Sequence, residues 1–343
     1  VYYSRDDQHG WFYHVMEAYF LTGNPWIRDW YRFIAEFRRV RLDRLDPFPD
    51  TSSRATAHGL HQVLQAYRVT GDLNLLGRFR NHLLTYLKPD QDPFYGDQRK
   101  SVEESGGGFQ TGYLMRTLIT YLEEVRSQGD WQAYAEAFNY LSGLMEWNCN
   151  YGNFPYYFDA RKGGKGVSSG TALTMVDPQA WYYWNTGKKK YLDQLERYMT
   201  TGINGGETPY GEFDKWRGQF EGRDYLYVKH TVRKDSIPPQ AITDLRATMP
   251  KPSRLRIGWT APDDADRYHV VWSDKPIVEE QSTDKSVTNW WAAQAIGVRL
   301  KPIAGKWRTL AMEAPENGNV YVAIFSFDRN GNMSTMSNVV RAR

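Results

Sequence analysis

The chain has a single cysteine, Cys149, so no internal disulfide can staple it, and that residue shows no metal-ligand spacing. It has no apolar run long enough to cross a bilayer, which excludes a membrane-spanning helix. It also lacks a dominant charge: 43 Lys and Arg against 40 Asp and Glu leave +3, which argues against nucleic acid as a partner. The one dense basic run is Arg38, Arg39, Arg41 and Arg44. It falls at an expected helix end, where cations suit the macrodipole, and reads as solvated surface. No secretory leader pattern is present, and Val1 rather than Met stands first, so a processed product or fragment is expected.

Aromatic surface is what the chain has in excess. Its 343 residues include 13 Trp and 24 Tyr, and 41% of them are hydrophobic, enough for two domains with sizeable cores. Tyr and Trp combine a flat apolar face with a polar edge, which suits stacking on sugar rings and equally suits filling a helical core.

A short motif recurs over residues 8 to 230. Ala18-Tyr19-Phe20-Leu21-Thr22-Gly23 is echoed by Ala66-Tyr67-Arg68-Val69-Thr70-Gly71 and by Tyr183-Trp184-Asn185-Thr186-Gly187. Each glycine follows one amphipathic stretch and precedes another, as expected where a left-handed residue ends a helix and the chain turns back. Tyr19 and Tyr67 stand 48 residues apart, and Tyr67 and Tyr183 stand 116 apart, so the wider gap holds two units. The missing corner is expected near Gly129-Asp130, after Leu118, Tyr121 and Leu122. In the second unit Leu60, Val63, Leu64 and Tyr67 share one helical face. About four helix pairs with a repeat near 50 residues predict a solenoid or a closed ring.

The pattern changes at Ile237-Pro238-Pro239, read as a linker. Beyond it, Leu255, Ile257 and Trp259, then Tyr268, Val270 and Trp272, then Val320, Val322 and Ile324 alternate with the period of strands. Asp328 to Asn332 reads as a turn. It imitates the start of a calcium loop, but Val339 stands where a closing Glu is needed. The boundaries expected are a helical domain over 1–236 and a β domain over 237–343, folding independently.

Pro238-Pro239 with Ile242-Thr243-Asp244-Leu245, the Trp259 and Tyr268-to-Trp272 strands and the Gly331-Asn332-Met333-Ser334 turn resemble a fibronectin type III domain. That resemblance implies an immunoglobulin-like β-sandwich. Residues near Asn289-Trp290-Trp291 to Ile296 depart from it as an insertion with a short helix. Asp7-Gln8-His9-Gly10, Arg54 to His61, Tyr67 and Thr70-Gly71-Asp72 give the helical part a resemblance to (α/α) toroid domains of carbohydrate-active enzymes, and to exo-acting rhamnogalacturonan lyase-like proteins among them. What this implies is a toroid or partial toroid, because fewer helix pairs are counted here than such rings hold. A separate N-terminal fragment or another chain could complete the ring. The resemblance further implies a polysaccharide partner and a secreted or cell-surface location.

In such folds substrate meets the starts of the inner helices. Asp6, Asp7, His9, Trp11 and His14 lie at the first start, and Arg54, His58 and His61 at the second. Glu103, Glu104 and Gln110 lie at the third, beside Gly106-Gly107-Gly108. Ser168, Ser169, Asp177, Trp181 and Tyr182 lie at the fourth, and Asn150 to Tyr157 forms an aromatic loop. A neutral imidazole at a helix start can be a base, a ligand or a sugar partner, or simply a satisfied packing group.

The function expected is a polysaccharide lyase cleaving an acidic, pectin-like glycan by β-elimination. Arg54 is the cation that neutralises the uronate carboxylate, His58 or His61 the base, and Tyr113 or Tyr156 the acid. Asp7, His9, Trp11, Glu104, Gln110, Tyr157 and Trp181 are the substrate-binding candidates. The alternatives are a glycoside hydrolase, drawing two carboxylates from Asp6, Asp7, Glu104, Asp177 or Glu212, and a non-catalytic glycan-binding or surface-assembly protein. No cofactor is expected, with a divalent cation such as calcium as the one alternative; Asp6, Asp7 and His9 are ligand types without a diagnostic spacing.

Overall fold

The computed structural model describes residues 13–43, 53–86, 108–151, 173–204, 223–231, 236–251, 253–298, 300–313 and 318–342. Helices come first: α1 (Tyr13–Thr22), α2 (Pro25–Asp43), α3 (Ser53–Thr70), α4 (Asn74–Tyr86), α5 (Gly108–Ser127) and α6 (Trp131–Tyr151). After a 3-10 turn (Leu173–Met175) come α7 (Val176–Thr186), α8 (Lys189–Asn204) and α9 (Arg223–His230). The corners expected from the repeated motif are where the helices turn back. Gly23, Gly71, Gly129 and Gly187 have φ of 63°, 74°, 71° and 68°. At three of them the glycine N–H donates to the tyrosine carbonyl of the motif, Tyr19, Tyr67 or Tyr183, at 2.7 to 2.8 Å. A side chain bearing a Cβ is strained in that conformation, so glycine ends each first helix.

Four antiparallel pairs result among the described residues: α1/α2, α3/α4, α5/α6 and α7/α8. The first helices of the later pairs pack in sequence, α3 on α5 and α5 on α7, and the second helices form a layer beside them. Because α3 lies between α2 and α5, it is buried all round: Leu60, Val63 and Leu64 are fully covered, and so are polar Thr56, Gln62 and Gln65. One expectation is corrected here. Arg38 is not solvated surface: it is buried, and its guanidinium donates to Gln62 Oε1 from Nε at 2.9 Å and Nη2 at 2.6 Å. A cation on the covered side of α2 must find an acceptor, and α3 supplies it.

Nine strands follow among the described residues. β1 (Arg246–Lys251), β2 (Arg254–Thr260) and β7 (Trp307–Glu313) form one antiparallel sheet in the order β1-β2-β7. The other runs β6-β3-β8-β9, with β3 (Arg267–Ser273), β6 (Gln294–Ile296), β8 (Tyr321–Phe327) and β9 (Val340–Arg341). β4 (Ile277–Val278) and β5 (Thr288–Asn289) make a short parallel pair. Ile257, Trp259, Val270, Val322 and Ile324 are fully buried in the core between the two larger sheets. The alternate residues of β3 and β8 are buried as well. Val271, Ala323, Phe325 and Phe327 join Phe138 of α6 in the helical core, together with Trp290 and Trp291 from a 3-10 turn (Trp290–Ala292).

The two parts were expected to fold independently; in the structure one hydrophobic core crosses between them. Polar groups set its register. Asn139 on α6 donates to Ala293 O at 2.7 Å, and its Oδ1 faces His269 Nε2 at 2.5 Å. Gln132 donates to Ala295 O at 2.9 Å and accepts from Gly297 N at 2.6 Å. Met333 N donates to Thr186 O at 2.8 Å, and a Cβ on Gly331 (φ 80°) would meet Trp184 O at 2.9 Å. In the turn before it, both Asp328 oxygens accept from Asn332, at 2.8 and 2.6 Å.

Gly143 on α6 packs tightly in this interface: a Cβ there would meet Trp291 Cε3 at 2.7 Å. Gly143→Val is therefore expected to cost about 1–3 kcal/mol by overpacking, and Trp291→Ala about 3–5 kcal/mol by leaving a cavity. In urea denaturation both should shift helical ellipticity and β-unit fluorescence together. Loss of the β signal alone would show that the shared core does not couple the two parts.

Candidate functional site

The starts of α3, α5 and α7 bring together some of the expected residues. Arg54, His58, His61, Gln65 and Arg68 recur on α3 at spacings of four and three, one stripe of the helix. A matching stripe on α5 carries Tyr113, Arg116, Thr120 and Glu124. The stripes meet along the seam between the helices. The His58 and Tyr113 rings lie 5.3 Å apart at 41°, Thr117 Oγ1 donates to Ala57 O at 3.2 Å, and Arg68 Nε donates to Glu124 Oε1 at 2.6 Å. Across α5, Arg116 Nη2 lies 3.5 Å from Asp177 Oδ2 on α7, whose Oδ1 accepts from Tyr225 N at 3.2 Å. Gly112 lets α5 come this close, since a Cβ would meet Thr174 O at 2.7 Å.

The seam is a low-dielectric strip with both acid–base and cationic groups. His58 is 3% exposed, His61 8% and Tyr113 4%. His61 has its pKa lowered to about 3, first by burial and then by the nearby His58, Arg68 and Arg116 charges. It is a neutral imidazole at neutral and mildly acid pH. Arg116 is the site residue that sequence reasoning missed. Its position three after Tyr113 on the same stripe was the signal, hidden because attention fell on helix starts alone.

The other candidates divide as follows. Asp7, His9, Trp11, Glu104, Tyr156 and Tyr157 lie outside the described residues, as do Asp6, Glu103 and Glu212. Arg54 and Gln110 occupy the first turns of α3 and α5, with side chains outside the described set. His14 is exposed beside Glu17, at 3.6 Å. Tyr182 is a core residue that donates to Ser142 Oγ at 2.6 Å. Another buried carboxylate, Glu146, is held by Lys190 and Tyr191, which makes it a tie between α6 and α8.

Trp181 faces elsewhere, into a cleft of about 1390 Å³ between the corner ends of the helices and the loops of the β unit. Trp131, Tyr134, Trp181, Trp184 and Tyr227 line its helical side, and Arg267, Tyr268 and residues 263–266 and 328–331 its β side. Trp184 and Tyr227 meet edge to face at 4.6 Å. The guanidinium of Arg267 lies 3.7 Å from the centre of the Phe327 ring and 5.9 Å from that of Tyr134. Arg329 and Asp266 approach at 3.7 Å. Sequence reasoning missed this cleft, since its walls come from distant segments that only the docking of the two parts joins.

Among the described residues no group of His, Cys, Asp and Glu is arranged to hold a metal, and no helix is long and apolar enough to cross a membrane. Compared with known proteins, the chain matches no family model, no curated protein and no solved structure.

His61, His82 and His269 all have pKa values lowered by burial, to about 3, 4 and 3. The unfolded chain takes up these protons as pH falls through 6.5, and the folded chain only near the lowered values. The folded state thus binds fewer protons in that window and loses stability as pH falls, by about 1.4 kcal/mol per unit for each ring. Denaturation at pH 7.5, 6 and 5 should show this slope, and His269→Gln should make it shallower. A stability unchanged from pH 7.5 to 5 would show that these rings take up protons as readily in the folded chain as in the unfolded one.

Proposed function

We propose that the chain acts on an acidic polysaccharide by β-elimination, with its chemistry at the start end of the seam between α3 and α5. The observation that carries this reading is the facing of His58 and His61 on one helix with Tyr113 and Arg116 on the next. Elimination needs these three kinds of group. Arg116 draws charge from the uronate carboxylate and acidifies the proton on the adjacent carbon. A neutral histidine takes that proton, the carbon–oxygen bond breaks as the carbon–carbon double bond forms, and Tyr113 hands its proton to the departing oxygen. Asp177 competes for Arg116 until the substrate carboxylate arrives. Asp177 is already engaged by Arg116 and by Tyr225 N, which suits it poorly to serve as one of the two free carboxylates that hydrolysis takes, so lyase chemistry fits better than a hydrolase.

The succession of helix pairs supports reading the helical part as a toroid-type (α/α) domain. The strand orders β1-β2-β7 and β6-β3-β8-β9 support a fibronectin type III sandwich. On the first pair Phe20, Leu21, Trp26 and Phe33 are exposed, which favours another helical surface stacking there. The burial of His58 and His61 favours a second reading, a glycan-binding protein without turnover, because a general base must touch its substrate.

Incubation with a panel of uronate polysaccharides, following ultraviolet absorbance of the unsaturated product, separates the two. Tyr113→Phe removes one oxygen and is expected to lower turnover at least ~100-fold while leaving the melting temperature nearly unchanged. Activity should persist down to about pH 5, because the base stays neutral. No product from any uronate polymer, or a Tyr113→Phe variant as active as the wild type, would remove the lyase assignment.

A further inference from the structure

The cleft between the helical and β parts lies at the opposite end of the helices from the seam chemistry, and its lining has a chemistry of its own. Arg267 stands out there. Its charge lies over the Phe327 ring with the Tyr134 ring nearby, and among the described residues no carboxylate comes within ion-pairing distance of it. The other cations of the lining are placed differently: Arg126 and Lys301 are exposed, and Arg329 is turned toward Asp266. A guanidinium that is largely covered, stacked on an aromatic face and without an anion at ion-pairing distance is a fork set to accept a planar carboxylate.

The remaining surface says what carries that carboxylate. Trp131 on α6 and Trp181 and Trp184 on α7 bring flat apolar indole rings to the lining from two helices. Asp263, Asp264 and Asp266 stand exposed at the β-side rim, where carboxylates accept hydrogen bonds from hydroxyl groups. A ligand that places apolar C–H faces, many hydroxyls and one acid group side by side is an acidic sugar. The volume, about 1390 Å³, exceeds the ~300–1,000 Å³ of an ordinary small-molecule pocket, so an oligomer fits the space better than a monosaccharide.

We propose that this cleft binds an oligosaccharide containing a uronate, with the uronate carboxylate on Arg267 and sugar rings stacked on Trp131 and Trp184. The site shares its ligand class with the proposed function and does not depend on turnover at the seam. It gives the β part a direct role in holding glycan, since Arg267 opens β3.

Calorimetric titration of the whole chain with a defined oligogalacturonate, and with the matching neutral galacto-oligosaccharide, tests it. The wild type should bind the uronate at least tenfold more tightly than the neutral sugar. Arg267→Gln should lose that margin, Arg267→Lys should keep part of it, and Trp184→Ala should weaken both sugars. Because Arg267 packs on Phe327, the melting temperature is measured alongside, and Arg267→Lys and Trp184→Ala carry the test if Arg267→Gln does not fold. Equal affinity for acidic and neutral sugars, or full uronate affinity in folded Arg267→Gln, overturns the proposal. Tyr113→Phe should bind at the cleft as the wild type does. A protein that makes no unsaturated product yet shows Arg267-dependent binding would sink the lyase reading and keep the cleft. Product formation with uronate binding indifferent to Arg267 would do the reverse.

Discussion

One sheet buried on both faces governs the arrangement of this protein. Residues of β3 and β8 alternate between two cores, with Val270, Val322 and Ile324 turned to the partner sheet and Val271, Ala323, Phe325 and Phe327 turned to α6. A sheet in that position is mostly apolar on both sides, and its strands are covered almost end to end, with the charge of Arg267 admitted only where β3 begins. Polar groups that enter at the helical face are engaged at His269 and Asn139. His269 is kept neutral by burial, so its Nε2–H can donate to Asn139 Oδ1, while the Asn139 amide nitrogen serves Ala293 O. That tautomer follows from the two bonds Asn139 makes: its nitrogen is the donor to a carbonyl, which leaves its oxygen for the ring.

The docking has a consequence at its edge. Trp290, Trp291 and the Gly331 turn bring the β part hard against α6 and the end of α7, and each contact leaves no room for a Cβ at Gly143 or Gly331. Tight contact on one side holds the loops at 263–267 and 328–331 opposite the helical corners, and a cleft remains where the two surfaces diverge. The interface that joins the two parts therefore also creates a cavity of about 1390 Å³. The seam between α3 and α5 has another origin: it is built within the helical repeat, where each first helix presents one polar stripe to the next.

The helix corners were legible because a left-handed backbone position at a helix end selects glycine, and the selection leaves a mark at Gly23, Gly71, Gly129 and Gly187. The change to strands after Pro239 was legible because a half-buried strand must alternate. The short helix at Trp290 was legible as an interruption of that alternation, though not the reason for it. Arg38 was misread because a basic run looks the same from the sequence whether it faces water or a buried glutamine. His58, His61 and Tyr113 were candidates by type and place, while Arg116 became one only through the facing of two stripes.

Local sequence determined the helix pairs, their turning points and the order of helical and β parts, because capping, periodicity and backbone conformation act over a few residues. The tertiary structure alone decided which groups meet: Arg116 with Asp177, His269 with Asn139, and Arg267 across a cleft from Trp184. Such pairs join residues tens to more than a hundred positions apart. Their energies depend on burial and on a partner's exact approach, neither of which leaves a periodic trace along the chain.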